Sequence, residues 1–279
     1  MREKYLEGRA AWVTGGASGM GRAIAMALAE VGADVAIGSL MESERAQVVI
    51  KQKVHLVSED ELERTRTELA AHGVRVLAQS LDVCSNPSVQ VFYDRVVATF
   101  GQIDILVNAA GTFGVHLMVD HPDALWHRTL DVNLHGPYRT IKRCLPGMVD
   151  RRWGRIINVA STAAQVGAAD HSAYCAAKAG LLGLTRCVAL EGAPHGVSCN
   201  AINPGYVATP MNRLRMMEKI EDEGVSLTVE EYREQLAQDN PQRRLITPEE
   251  IGTLAAFLCR DEAFGINAQD VTVSGGSLW

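Results

Sequence analysis

The sequence predicts a doubly wound α/β fold, a single sheet of seven parallel strands flanked by helices, and three observations carry that expectation. Apolar, β-rich runs alternate with helical patterns from residue 9 to residue 273, as βαβ units buried on both faces require. The first run is followed at once by a glycine-rich stretch, Thr14-Gly15-Gly16-Ala17-Ser18-Gly19-Met20-Gly21, that opens a helix. No low-complexity linker or charge block divides the 279 residues, so one domain, 1–279, is expected around one sheet.

In chain order, strands are predicted at 9–14, 34–38, 75–78, 103–107, 155–160, 198–202 and 270–273. Capping boxes mark three helix starts, Ser58 with Glu61, Thr228 with Glu231 and Thr247 with Glu250. Two segments break the rhythm. Where a short βα loop is expected, residues 39–57 form an insertion. Residues 210–244 read as amphipathic helix without a place in the sheet, with Met211, Leu214, Met216, Met217 and Ile220 at helical spacing. This segment leaves the sheet edge where ligands bind in such folds, and a substrate lid is expected there.

With 27 basic and 33 acidic residues the net charge is −6, and no basic stripe points to nucleic acid. The longest apolar runs, such as 103–107 and 156–160, are strand-sized, so no membrane span is expected. The charged start, Met1-Arg2-Glu3-Lys4-Tyr5, has no apolar region after it, which suggests a cytoplasmic protein. Six scattered cysteines without CxxC predict neither a disulfide framework nor a metal site, and no HExxH occurs.

The chemistry-bearing residues fall at strand ends and on one helix. Glycines after the first strand let backbone N–H groups approach a pyrophosphate, whose charge a helix N-terminus favours. Tyr174 and Lys178 stand at i, i+4 on a helix and share one face. Ser161 ends the fifth strand thirteen residues earlier, Asn133 lies in Asp131-Val132-Asn133-Leu134, and Asn108-Ala109-Ala110-Gly111 ends the fourth. A phenol titrates too high to accept a proton at neutral pH. A cation about 4 Å away contributes roughly 4 kcal/mol at an effective dielectric of 20, or about three pKa units.

These motifs, with Asn203-Pro204-Gly205 and Thr209, resemble the classical short-chain dehydrogenase/reductase family over essentially the whole chain. The resemblance implies a Rossmann-type NAD(P)(H)-dependent oxidoreductase that interconverts a secondary alcohol and a ketone. Tyr174 would be its general acid/base, Lys178 would support Tyr174 and hold the nicotinamide ribose, and Ser161 would hydrogen-bond the substrate oxygen. Asn133 would hold a water linking Lys178 to solvent. Cofactor contacts carry over to Gly15, Ser18, Gly19, Met20, Gly21, Ser39, Asp82, Val83, Asn108, Ala109, Gly111, Pro204, Gly205, Val207 and Thr209. Substrate contacts are expected from Gln165, Tyr206, Met211 and Met216. His171 reads as a helix-start or pocket-lining residue and Arg22 as a surface one.

One device of the family is missing. An acid at the tip of the second strand repels a 2′-phosphate, and Ser39 stands there instead, so the cofactor preference leans slightly to NADP with NAD usable. Arg45, Lys51 or Lys53 of the insertion are candidates to meet a phosphate, beside the plainer reading of a solvated loop. The insertion itself resembles a loop that in some members folds over the adenosine end of the cofactor. A small alcohol or ketone is the expected partner, and a homotetramer built from helices near 125–148 and 171–190 the expected assembly. Two alternatives stand beside this reading. One is an acyl-thioester reductase with a carrier-binding basic patch drawn from Arg151, Arg152, Arg155, Arg213 and Arg215. The other is a catalytically idle dinucleotide sensor.

Overall fold

The computed structural model describes residues 3–43, 55–224 and 226–277. Its strands are β1 (Ala10–Thr14), β2 (Asp34–Ser39), β3 (Val76–Ser80), β4 (Ile105–Asn108), β5 (Gly154–Val159), β6 (Val197–Pro204) and β7 (Asp270–Val273). They form one sheet in the order β3-β2-β1-β4-β5-β6-β7, with every pairing parallel.

Helices cover both faces because successive strand residues point to opposite sides. From β1, Ala11 and Val13 pack with Ile24 and Leu28 of α1 (Gly19–Glu30), Leu69 of α2 (Glu59–Ala70) and Ile251 of α9 (Pro248–Leu258). Ala10 and Trp12 face the other layer. There they meet Phe92 and Val96 of α3 (Asn86–Phe100), Met148 of α5 (Gly136–Arg151) and Val188 of α6 (Ser172–Gly192). Trp12 stacks on Phe92 with ring centroids 5.2 Å apart.

The strand order reverses between β1 and β4, the place where a doubly wound sheet opens a crevice beyond its carboxyl ends. Thr14 ties the two tips together, its Oγ1 accepting from the backbone N–H of Ala109 and of Ala110 at 3.1 Å each. Gly15 has φ +66°, and a Cβ there would lie 2.9 Å from the Ala110 backbone, so this approach requires glycine.

Between α4 (Asp123–Leu130) and α5 the chain winds one π-helical turn, Asp131–His135, of the kind often found at functional sites. The capping boxes at Ser58, Thr228 and Thr247 are present. Strand ends differ from the sequence reading by one or two residues, chiefly at β6, which extends through Pro204 because that residue still pairs with Val273.

Ser172–His195, comprising α6 and the turn after it, is long and apolar enough by composition to cross a membrane, although the uninterrupted apolar runs are strand-sized. Its buried face, Ala173, Ala177, Leu181, Val188 and the site residue Lys178, explains the composition. The segment expected as a lid divides into α7 (Pro210–Glu223) and α8 (Val229–Asp239), which pack on one another through Met216, Ala237 and Tyr232. Of the insertion, Met41 and Val57 form a parallel bridge, and Arg45, Lys51 and Lys53 lie outside the described residues.

Candidate active site

The crevice at the carboxyl ends of β1, β2 and β4 is lined by Gly15, Ser18, Gly19, Met20, Gly21, Ser39, Asp82, Val83, Ala109, Gly111 and Thr209. Ser18 is the N-cap of α1 yet makes no capping bond, and no acid stands in the first turn. Its hydroxyl and the helix-end N–H groups therefore form an anion-binding corner. A Cβ on Gly21 would sit 2.2 Å from the Gly15 carbonyl, so the loop's close turn excludes any side chain there. His55, also on the crevice wall, contributes a buried Nε2 that has no hydrogen-bond partner among the described residues. An anion corner and an unpaired buried nitrogen in one elongated cleft fit a dinucleotide.

Ser39 is buried, and its Oγ accepts from Ala17 N at 3.2 Å, so it props the glycine-rich loop as well as lining the cleft. Asp82 sits with Arg128, Oδ1 to Nη1 4.0 Å. Arg22 is paired with Glu68 on the surface.

A second cavity continues from the first and holds Asn133, Ser161, Tyr174, Lys178, Pro204, Gly205, Tyr206, Val207, Thr209 and Met211. Ser161 lies just beyond β5, and its hydroxyl acts on the Tyr174 phenol, lowering its pKa. Burial pushes the Tyr174 phenol up to about 12, against the opposing pull of the Ser161 hydroxyl. Burial also brings the Lys178 ammonium down to about 7. Lys178 Nζ donates to the Val159 carbonyl at 2.7 Å and lies 5.7 Å from the Tyr174 ring centre. The expected lowering of Tyr174 by Lys178 does not prevail here: desolvation raises the phenol, and burial brings the Lys178 ammonium itself down to about 7.

Asn133 is buried in the π turn. Its Nδ2 donates to the carbonyls of Thr112 (2.8 Å) and Thr129 (2.9 Å), and its Oδ1 accepts from Thr112 N at 3.3 Å. The side chain is thus fully engaged in joining the π turn to the β4 loop, and a water held here would fall to backbone groups.

Three expected contacts lie elsewhere. Asn108 is buried between β5 and α5, donating to Asn158 Oδ1 at 2.9 Å and accepting from Thr140 Oγ1 at 2.6 Å. Gln165 is exposed and turns to the sheet edge, Nε2 to Asp270 Oδ2 3.3 Å. Met216 is buried in the α7–α8 contact instead of facing substrate. The first turn of α7 is what reaches the cavity, through Met211 and Asn212. Residues that the sequence reading passed over include Thr112 and Phe113, whose ring centroid is 5.1 Å from that of Tyr174. Their position directly after a strand tip was the available signal. Ala163 and Ala168 also line the cavity, and His171 both caps α6 and lines it.

Comparison with known proteins agrees with this geometry. A family model described as enoyl-(acyl carrier protein) reductase matches residues 15–277. The chain is 35% identical over 271 residues to a D-beta-hydroxybutyrate dehydrogenase of Cupriavidus necator, covering 97% of this chain and 98% of that protein. It is 32% identical over 268 residues to a 3-oxoacyl-[acyl-carrier-protein] reductase of Staphylococcus aureus, covering 96% and 97%. Among solved structures, actinorhodin polyketide ketoreductase with NADPH superposes with TM-score 0.86 at 32% identity, covering 96% of each chain. Levodione reductase does so with TM-score 0.84 at 29% identity over 98% of each. The chain belongs to the short-chain dehydrogenase/reductase family and is an oxidoreductase acting on CH–OH groups.

Proposed function

We propose that this enzyme interconverts a secondary alcohol and a ketone, with Tyr174 moving the proton. The observation that carries this reading is that Ser161, Tyr174 and the buried Lys178 line one cavity, which shares Met20, Gly111 and Thr209 with the first. The bound nicotinamide supplies or accepts a hydride at C4. A ketone oxygen that accepts from Ser161 and Tyr174 is polarised, and it takes the phenolic proton as the carbonyl carbon receives the hydride. In the reverse direction the alcohol O–H proton passes to the Tyr174 phenolate while the carbon gives up the hydride. With its phenol pushed up to about 12, Tyr174 holds its proton at neutral pH in the free enzyme. Lys178 would hold the ribose hydroxyls, and Gly15, Ser18, Gly19 and Met20 the pyrophosphate. Substrate contacts are assigned to Tyr206 and Met211.

The missing acid at Ser39 supports a slight preference for NADP(H), with NAD(H) usable. A homotetramer is proposed from the family and from the apolar surface of α6. Cytoplasmic location is proposed from the free state of all six cysteines. An acyl-carrier substrate is less favoured because the arginines do not form an entrance patch. Arg151 and Arg155 serve Asp104 and Asp261 at the opposite end of the sheet, and Arg213 and Arg215 are paired with Glu230 and Asp170.

The test is absorbance at 340 nm with both reduced cofactors across a panel of ketones. Cofactor-dependent oxidation of NADPH supports the reading. Cofactor binding without turnover of any carbonyl would favour the sensor, and a preference for NAD above about a hundredfold, some 2.7 kcal/mol, would overturn the cofactor assignment.

A further inference from the structure

The substrate cavity is apolar on most sides, with Phe113, Ala163, Ala168 and Met211 in its wall, and among the described residues neither a guanidinium nor a carboxylate lines it. Its one imidazole is His171, whose ring centroid lies 6.4 Å from that of Tyr174. His171 Nδ1 faces two acceptors, the Ala169 carbonyl at 3.0 Å and the Asp170 carboxylate. A carbonyl oxygen has no proton to give, so Nδ1 carries the ring proton. In the neutral ring Nε2 is then a bare lone pair, and among the described residues it has no protein partner.

The arrangement is held in place from behind. Asp170 sits in the left-handed region at φ +62°, a conformation costly for a residue other than glycine. Its carbonyl accepts from His116 N at 2.7 Å, and its second carboxylate oxygen lies 3.7 Å from Arg215 Nη2 of α7. Arg215 is therefore engaged by Asp170.

Building on the alcohol–ketone reading above, we propose that His171 is a specificity-determining acceptor and that the substrate is an uncharged hydroxyketone. Its hydroxyl, a few bonds from the reacting carbonyl, donates to His171 Nε2 while the carbonyl oxygen accepts from Tyr174. Asp170 is a positioning residue that fixes the tautomer. A keto acid in the same place would set its carboxylate against a lone pair with Asp170 behind it. This separates the site from what the name of the hydroxybutyrate dehydrogenase relatives implies. A site built to pair with a hydroxyl disfavours the analogue that lacks one, because the half-buried acceptor then loses its partner in the cavity.

The experiment compares 4-hydroxy-2-butanone, 2-pentanone and acetoacetate at about pH 8.5, where an ordinary imidazole is neutral. Both kcat/KM with NADPH and calorimetric Kd for the NADP⁺ complex are measured for the native enzyme, His171→Leu, His171→Gln and Asp170→Asn. The native enzyme should prefer the hydroxyketone to 2-pentanone by about tenfold or more, a difference of about 1.4 kcal/mol. His171→Leu should abolish that preference, His171→Gln, which keeps an acceptor, should restore part of it, and Asp170→Asn should reduce it. An unchanged ratio in His171→Leu, or acetoacetate as the best ligand of the native enzyme, would overturn the proposal. Because the Kd ratio is read without turnover, absence of turnover with all three ketones would count against the alcohol–ketone reading alone.

Discussion

Lys178 Nζ gives its hydrogen bond to the Val159 carbonyl, at 2.7 Å, and not to Tyr174, whose ring centre is 5.7 Å away. Burial raises the Tyr174 phenol from 10 to about 12, about 3 kcal/mol against the phenolate, with the Ser161 hydroxyl opposing it.

Lys178 should leave a mark on stability. Its pKa is depressed from 10.5 to about 7, so the native state disfavours the proton that the unfolded chain binds. Its contribution is fully present above pH 10.5 and is lost as pH falls through about 7, an effect on the order of 5 kcal/mol. Lys178→Met should remove this contribution. In urea titrations at pH 7 and pH 10, the variant's stability relative to the native enzyme should be several kcal/mol more favourable at pH 7 than at pH 10. Equal relative stabilities would refute a buried, depressed ammonium.

Ser39→Asp should move the kcat/KM ratio toward NAD by at least about tenfold, since a carboxylate there repels a 2′-phosphate. The aspartate can still accept from Ala17 N, the bond Ser39 Oγ now makes at 3.2 Å, so the loop should hold its shape. Thermal unfolding checks the loop and steady-state kinetics the ratio. An unchanged ratio in a folded variant would place the cofactor's ribose elsewhere.

In α7 the two methionines should separate. Met216→Lys buries a charge against Ala237 and Leu245 and should cost about 3 kcal/mol of stability. Met211→Lys, at the cavity wall, should raise KM for an apolar ketone several-fold with little change in stability. Denaturant melts with KM for both variants decide it. The reverse pattern would return Met216 to the substrate face.

The sheet was legible because every strand is a short apolar run bounded by turns, and the catalytic candidates because motif and strand end coincide. Met216 was misplaced because helical spacing says that a face is covered without saying by what, and α8 covers it. Gln165 was misplaced because the loop beyond a strand is free to turn, and Asn108 because a strand's last residue can still belong to the sheet, where it pairs with Asn158. Asn108 still points sideways into the sheet's helical layer, toward Thr140. His171 showed its place beside Tyr174 in sequence, yet the tautomer imposed by Ala169 and Asp170 is a property of three dimensions.

The proton-transfer role of Tyr174 is the centre of the mechanism, and Tyr174→Phe tests it most directly. The phenyl ring keeps the contact with Phe113 and loses the hydroxyl on which Ser161 acts. Turnover at 340 nm and NADPH affinity by fluorescence titration are measured on the same preparation. The expected result is a loss of turnover of at least about a thousandfold with NADPH affinity within a few fold of the native enzyme. Retention of more than about a tenth of the native turnover would contradict it.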